Sequence, residues 1–415
     1  MTEYVNEIVN WDTISQRYGD VIVLKDGRLM WAGGSGQGDP LLPFKANYSD
    51  DDGETWGEAS MLELADGSPL LGVMDTNLLR LKSGALGLVQ RSSSGEYDVG
   101  ISFSKSEDEG ETWTAPLRLS PEVRSVFASN DRSLVLNDGR IVVPVYGSLG
   151  PKPLSNPKRA TRFGQEFSNA AAGSVRFSYV YYSDDEGETW GQSSNQAFVA
   201  LDQGVGGSYS FGEPTAVELN DGRLLMMGRT GLGRFFQTFS ENRGETWTNP
   251  EPTDLACYPS PCGLKRIPGT GDLLVVWNQI SRWESMTGLY RHRLTCAISK
   301  DEGQTWENHK NLESLDDISY IEPDHVGMVP IGKYAQPVDR QRYHRAPGPL
   351  RFDYPSVVFK DDKVIVIYGM SVFGDRSVLA DTYGVDYDEL MAQLGLAPHD
   401  VGNKIRVLST DWFYE

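Results

Sequence analysis

Short apolar runs rich in β-branched residues alternate along the chain with turn dipeptides. VIVLKDGRLMWA at 21–32, SLVLNDGRIVVPV at 133–145, AVELNDGRLLMMG at 216–228 and SVVFKDDKVIVIYG at 356–369 each read as two strands joined by a tight turn. Turn signatures stand at Asp26-Gly27, Ser83-Gly84, Asp138-Gly139, Asp221-Gly222, Gly271-Asp272 and Asp361-Asp362. Six hairpin turns predict six units. A second periodic signal, the octet Ser-x-Asp-x-Gly-x-Thr-Trp, falls between them at 49–56, 106–113, 183–190 and 299–306, with a fifth copy at 240–247 that carries Asn242 at the Asp position. As a hairpin corner the octet is physically coherent. Its Asp or Asn accepts from backbone N–H groups two residues on, Gly supplies a positive φ, and Thr and Trp enter the next strand. Each unit therefore reads as strand A, turn, strand B, a variable connection, strand C, octet, strand D.

Four antiparallel strands repeated six times predict an all-β, six-bladed β-propeller, a closed ring that leaves few exposed sheet edges. The whole chain, 1–415, is then one domain. The sixth unit lacks an octet and ends in IRVLSTDWFYE at 405–415, so the stretch 4–11 is expected to supply its outer strand and close the ring. In an up-and-down blade the A–B turns and the octets share one end, which puts functional residues at the other. Two long insertions belong to that opposite end, 148–173 and 371–403. The second contains a predicted short helix at 382–395, with Asp386 as N-cap and Gly395 as C-cap.

Composition narrows the function classes. The 415 residues are 39% hydrophobic, enough to bury a large core, and carry a formal charge of −20. A sequence pI near 4.7 argues against nucleic-acid binding, which needs a clustered positive surface. No run of about 18 apolar residues predicts a membrane span, and MTEYVNEIVNW at the start lacks the regions of a signal peptide, so the chain reads as soluble and cytoplasmic. Cys257, Cys262 and Cys296 are too few for a disulfide framework and read as buried thiols. His292, His325 and His344 show no metal-ligand spacing, and no metal or cofactor is expected. Charge also sorts by end: the five octets contain sixteen acidic residues and two basic ones, Arg243 and Lys300. By contrast, 148–176 carries Lys152, Lys158, Arg159, Arg162 and Arg176 against Glu166 alone, and 333–351 carries Lys333, Arg340, Arg342, Arg345 and Arg351 against Asp339. The end away from the octets is locally positive and suits an anionic ligand.

The A-strand starts and B-strand ends at that end collect Arg17, Asp39, Glu213, Arg229, Arg291, Arg293 and Tyr354, with Asp75, Asp131, Arg132 and Asp353 in reserve. The octets resemble the Asp boxes of the sialidase superfamily, where they are structural. The resemblance covers essentially the whole chain. It implies that Arg17, before the first strand, Arg229, and one of Arg291 and Arg293 bind a substrate carboxylate. It further implies that Asp39 is the acid, Tyr354 in YPSV the nucleophile and Glu213 its base. Departures are Gln16 and Tyr18-Gly19 around Arg17, and Pro355 after Tyr354.

The chemistry of such a set is self-consistent. A glycoside of an ulosonic acid bears a carboxylate on its anomeric carbon, which guanidinium groups grip bidentately and which repels a carboxylate nucleophile. Tyrosine attacks without formal charge once a base takes its proton, and Tyr nucleophiles are an exception to the two-carboxylate scheme. The sequence reading is therefore a sialidase-like exo-glycosidase acting on an anionic carbohydrate. Its alternatives are a hydrolase or lyase for uronic-acid glycans and a non-catalytic propeller that binds glycans or proteins. Oligomeric state is not legible.

Overall fold

The structure is a computed structural model that describes residues 3–10, 19–34, 42–72, 74–95, 98–120, 126–149, 160–162, 165–167, 175–199, 211–230, 232–281, 284, 291–314, 316–323, 350–372, 389, 392 and 402–415. Its strands form the blades of a six-bladed propeller. Blade one contains Asp20–Val23, Leu29–Gly33, Lys45–Ser49 and Ser60–Met61; blade two contains Asn77–Arg80, Leu86–Gly95, Asp98–Ser106 and Leu117–Arg118. In blade three, Leu134–Val135, Ile141–Leu149, Val175–Ser183 and Gly191–Gln192 are joined by a fifth strand, Val126–Phe127, which extends the sheet beside Ile141–Leu149. Blade four begins with Gly212–Glu218, Leu224–Arg229 and Arg234–Ser240. The long strand Glu251–Arg266 then serves as its outer strand and as the inner strand of blade five, ahead of Leu273–Gln279, Leu294–Ser299 and Glu307–Glu313. Blades four and five thus share one seven-stranded sheet, because the chain passes between them through a register shift at Cys257/Cys262 instead of a loop. Blade six pairs Leu350–Lys360, Lys363–Val372 and Gly402–Ser409, with Glu3–Asn10 as the outer strand, antiparallel to Gly402–Ser409.

Middle strands such as LLMMGR, LLVVWNQ and LTCAIS are buried along their whole length, because each is sandwiched between the neighbouring blades. The hydrophobic clusters accordingly lie between blades; Val89 and Phe103 of blade two, for instance, meet Val143 and Tyr181 of blade three. Of the two insertions, the first is described at the end of Ile141–Leu149 and in the hairpin of Ala160–Arg162 with Gln165–Phe167. In the second, Glu389 and Ala392 are helical, and the rest of 382–395 lies outside the described residues.

Each octet is closed by the same bonds. In the first, Ser49 Oγ donates to Asp51 Oδ1 at 2.8 Å, Gly53 N donates to Ser49 Oγ at 2.8 Å, and Thr55 Oγ1 donates to Asp51 Oδ2 at 2.5 Å. Asn242 of the octet at 240–247 has no second carboxylate oxygen, so Thr246 Oγ1 reaches its Oδ1 at 3.2 Å. Two residues per octet adopt positive φ, the glycine and the side chain before it: Asp52, Glu109, Glu186, Arg243 and Glu302. That backbone turns the fourth side chain outward onto the A–B turn of the preceding blade. Glu109 accepts from Lys25 N at 2.9 Å, Glu186 from Ser83 N at 2.6 Å and Glu302 from Asn220 N at 2.9 Å, while Asp52 pairs with Lys360 and Lys363. Where the octet carries Arg243 the charge is reversed, and it pairs with Asp138 of that turn at 3.2 Å and with Asp184.

Blade six has no octet, and the C-terminal turn replaces it. The 3-10 helix Thr410–Phe413, capped by Ser409, buries Trp412 and Phe413 in the cluster between blades five and six, and Tyr414 Oη donates to Asp272 Oδ2 at 2.7 Å in the blade five turn. One segment thus supplies both the packing tryptophan and the link to the preceding turn. Trp412→Ala is expected to cost about 3 kcal/mol of stability, the usual penalty for emptying an aromatic site, with the denaturant midpoint lowered in urea titration and the slope unchanged.

Candidate active site

Inner strands break their ladders at the end opposite the octets. The registers of Gly212–Glu218 and Leu350–Lys360 shift between Gly212 and Thr215 and between Asp353 and Ser356, bracketing Glu213-Pro214 and Tyr354-Pro355. Proline has no N–H to give the ladder, so each inner strand bulges there and re-aims the residue before the proline. Glu213 and Tyr354 take φ values of 45° and 49°, and Asp75 and Asp131 at equivalent starts take 61° and 54°. Left-handed backbone at non-glycine residues persists only where the surroundings enforce it, and it clusters at functional sites. Pro355, a departure at the sequence level, repeats the device of Pro214.

These bulges bring four of the sequence candidates together. Tyr354 Oη donates to Glu213 Oε1 at 2.9 Å, and Arg229 Nη1 lies 2.7 Å from Glu213 Oε2. Arg291 stacks its guanidinium 4.9 Å from the Tyr354 ring centroid and bonds Asp353 Oδ1 at 2.5 Å; Arg351 Nε reaches Asp353 at 2.8 Å. Burial pushes the Tyr354 phenol well above its ordinary range and the Glu213 carboxylate adds to this, against the pull of Arg291 and Arg229. The phenol is therefore neutral at rest and hydrogen-bonded to Glu213. Burial also raises Asp353, but Arg291 and Arg351 override it and hold the carboxyl below the usual range.

Arg293 goes elsewhere. Fully buried, it bonds Glu284 at 3.0 Å and Asp316 at 2.6 Å. Glu284, His292 and Asp316 cluster closely enough to suggest a metal site, yet the Arg293 guanidinium already bridges the two carboxylates and supplies the cation. Among the reserve residues, Asp353 belongs to the cluster at Tyr354. Asp131 faces the propeller axis, accepting from Val357 N at 2.7 Å and pairing with Lys265. Arg132 is buried beside it, donating to Pro355 O at 3.1 Å. Asp75 pairs with Arg91, and burial, against Arg91, raises its carboxyl to about 6. Arg17, Asp39, His325 and His344 lie outside the described residues. The three cysteines are free and buried, and burial raises Cys257 to about 11 and the other two to about 12.

Sequence reasoning missed Arg91 and Tyr146. Tyr146 stacks on Phe127 at 5.2 Å, with Arg176 5.4 Å from its ring and Arg91 5.0 Å from that of Phe127. A signal for both was present. Arg91, Tyr146 and Arg229 each stand seven residues after the glycine of their own A–B turn, Gly84, Gly139 and Gly222. Equal offsets on equivalent B strands put them at one end of three adjacent blades.

Residues 28–367 match the family described as BNR repeat-like domain. Among solved structures, a protein of unknown function from Dyadobacter fermentans is similar over 98% of both chains, at 18% identity and a TM-score of 0.61. A sialidase from Trypanosoma rangeli, in complex with the inhibitor DANA, is similar over 95% of this chain and 54% of its own, at 16% identity and a TM-score of 0.55. The chain thus spans about half the length of that enzyme. The intramolecular trans-sialidase of Ruminococcus gnavus, in complex with oseltamivir carboxylate, is similar over 89% of this chain and 93% of its own, at 14% identity and a TM-score of 0.54.

Proposed function

Because the chain belongs to the BNR repeat-like family and has the propeller fold of sialidases, we propose that it hydrolyses glycosides of sialic acid or a related ulosonic acid. One observation carries the reading: the Tyr354 hydroxyl, 2.9 Å from Glu213, is flanked by the Arg229 and Arg291 guanidiniums. Arg229 and Arg291, joined by Arg17 in the sequence assignment, bind the substrate carboxylate. Tyr354 Oη attacks the anomeric carbon as Glu213 takes its proton, and the bond to the aglycone oxygen breaks with a proton from Asp39. Water then gives a proton to the Asp39 carboxylate and attacks the same carbon from the face the aglycone left, the bond to Tyr354 Oη breaks, and Glu213 returns its proton to the phenol. Two displacements give retention. A neutral phenol suits this pocket because approach to an anionic carboxylate costs it no charge repulsion. In the Ruminococcus protein the ligand is a carboxylate as well.

A fluorogenic sialoside is the direct test. Release of fluorophore, with inhibition by a carboxylate-bearing sialic acid analogue, is expected. Absence of turnover together with absence of thermal stabilisation by free sialic acid sinks the sialoside assignment, and turnover of a uronic-acid glycan instead moves the chain to the other enzyme class.

A further inference from the structure

The inner strand of blade six leaves its ladder where Tyr354 stands. Pairing with Lys363–Val372 runs to Asp353 and resumes at Ser356, so the carbonyls of Tyr354 and Pro355 lie in the gap. Side chains from other blades take over these four residues. Asn130 Nδ2 donates to Tyr354 O at 3.3 Å, and Arg132 Nη1 donates to Pro355 O at 3.1 Å. Ser356 Oγ donates to Asp20 Oδ1 at 2.7 Å, and Val357 N donates to Asp131 Oδ2 at 2.7 Å. Three of the four holders are consecutive residues at the start of blade three, across the axis from blade six. Their own turn is fixed in turn: Asn77 Oδ1 accepts from Arg132 N at 2.7 Å and Ser133 N at 2.8 Å, Asp131 N donates to Thr76 O at 3.1 Å, and Lys265 pairs with Asp131. Asn130 and Arg132 are 0% and 1% exposed.

We propose that Asn130, Asp131 and Arg132 form a positioning cradle that holds Tyr354 in its left-handed conformation, with the hydroxyl on Glu213; the inference rests on the reading of Tyr354 as nucleophile. None of the three touches the reacting atoms. They act through the backbone of Tyr354, Pro355 and Val357, whose ladder they replace. A sparsely populated conformation at a bulky residue relaxes once the groups that enforce it are removed, and a nucleophile displaced by about 1 Å loses about 10²-fold in rate.

Asn130→Ala and Arg132→Met each remove one holder. Both are expected to lower kcat on the fluorogenic sialoside about ten- to a hundredfold while KM stays within about twofold, since Arg229 and Arg291 remain in place. Arg132→Lys keeps one donor for Pro355 O and should recover most of the loss. Variants that melt at lower temperature but keep wild-type kcat per folded molecule overturn the cradle, because a purely structural role predicts that result. A second readout needs no turnover: in crystal structures of the two variants Tyr354 should leave the positive-φ region, and an unchanged φ in both overturns the proposal. If the wild-type chain is inert on every ulosonic glycoside, the functional reading falls, and the cradle is judged by that φ alone.

Discussion

Tyr354→Phe should abolish turnover, by on the order of 10³-fold or more in kcat, in a protein that folds as before. The substitution deletes one oxygen. The ring stays, and with it the stacking of Arg291 at 4.9 Å and the backbone bonds of the bulge. Glu213 loses the Tyr354 donor but retains Arg229 at 2.7 Å, so the cost to stability is about 1 kcal/mol. Chemistry loses everything the hydroxyl did, since no covalent intermediate forms on a phenyl ring, and removal of a nucleophile is among the largest single effects known in enzymes. The pair of measurements is kcat and the thermal midpoint. A Phe variant that retains more than a tenth of wild-type kcat refutes the nucleophile assignment, and one that is inactive only because it has unfolded is identified by its melt.

Stability should decline, not rise, between pH 5 and pH 8. Asp20 is 1% exposed and joins three blades, accepting from Val21 N, Leu78 N and Ser356 Oγ, each at 2.7 Å. Burial raises its carboxyl to about 7, and the neighbouring Asp131 carboxylate adds to this, while Lys265, Ser356 and Leu78 pull the other way. The folded pKa lies above the unfolded value of 3.8, so the folded state holds a proton that the unfolded chain has released. This contribution is complete below about pH 4 and is lost as pH rises through about 7, a span worth on the order of 4 kcal/mol. Asp75, raised to about 6, acts in the same direction, whereas His309, whose imidazole is lowered by burial, acts in the opposite one. Glu109 is one of the carboxylates that act at acid pH with the opposite sign. Hydrogen bonds from Arg80 lower it to about 2, so its contribution is present above its ordinary pKa and is lost as pH falls through about 2. Urea titrations at pH 5 and pH 8 should therefore differ by several kcal/mol in favour of pH 5, and Asp20→Asn, neutral at both, should narrow the gap. Greater stability at pH 8 in the wild type, or an undiminished gap in the variant, refutes this linkage.

The fold was legible because its signals repeat. Six turns and five octets recur in one order, and each rests on local chemistry, a positive φ or an Asx-type bond, that needs no distant partner. Sites were legible only as far as strand position determines them. Glu213 and Arg229 stand at the two ends of one hairpin and could be paired on paper. Arg291 and Arg293 could not be separated, because residues two apart in a strand share a face; a φ of 54° at Arg291, just ahead of Leu294–Ser299, sends the two side chains to different places. The role of Asp131 was equally hidden. Its partners Val357 and Lys265 are 226 and 134 residues away and meet only across the closed axis.

The sixth blade also governs the order in which the ring can assemble. Glu3–Asn10 and Gly402–Ser409 belong to one sheet, with Glu3 opposite Leu408. The hairpins of blades two to five can pair as they leave the ribosome, but Glu3–Asn10 has no sheet to join until Gly402–Ser409 has emerged. Until then the apolar face formed by Val21, Leu29, Trp31, Ile365 and Ile405 has only one of its two walls. Ring closure is a contact of extreme sequence separation, so it is expected to be the slow step of folding, and refolding monitored by tryptophan fluorescence should be faster for blade two to five hairpins than for the ring as a whole.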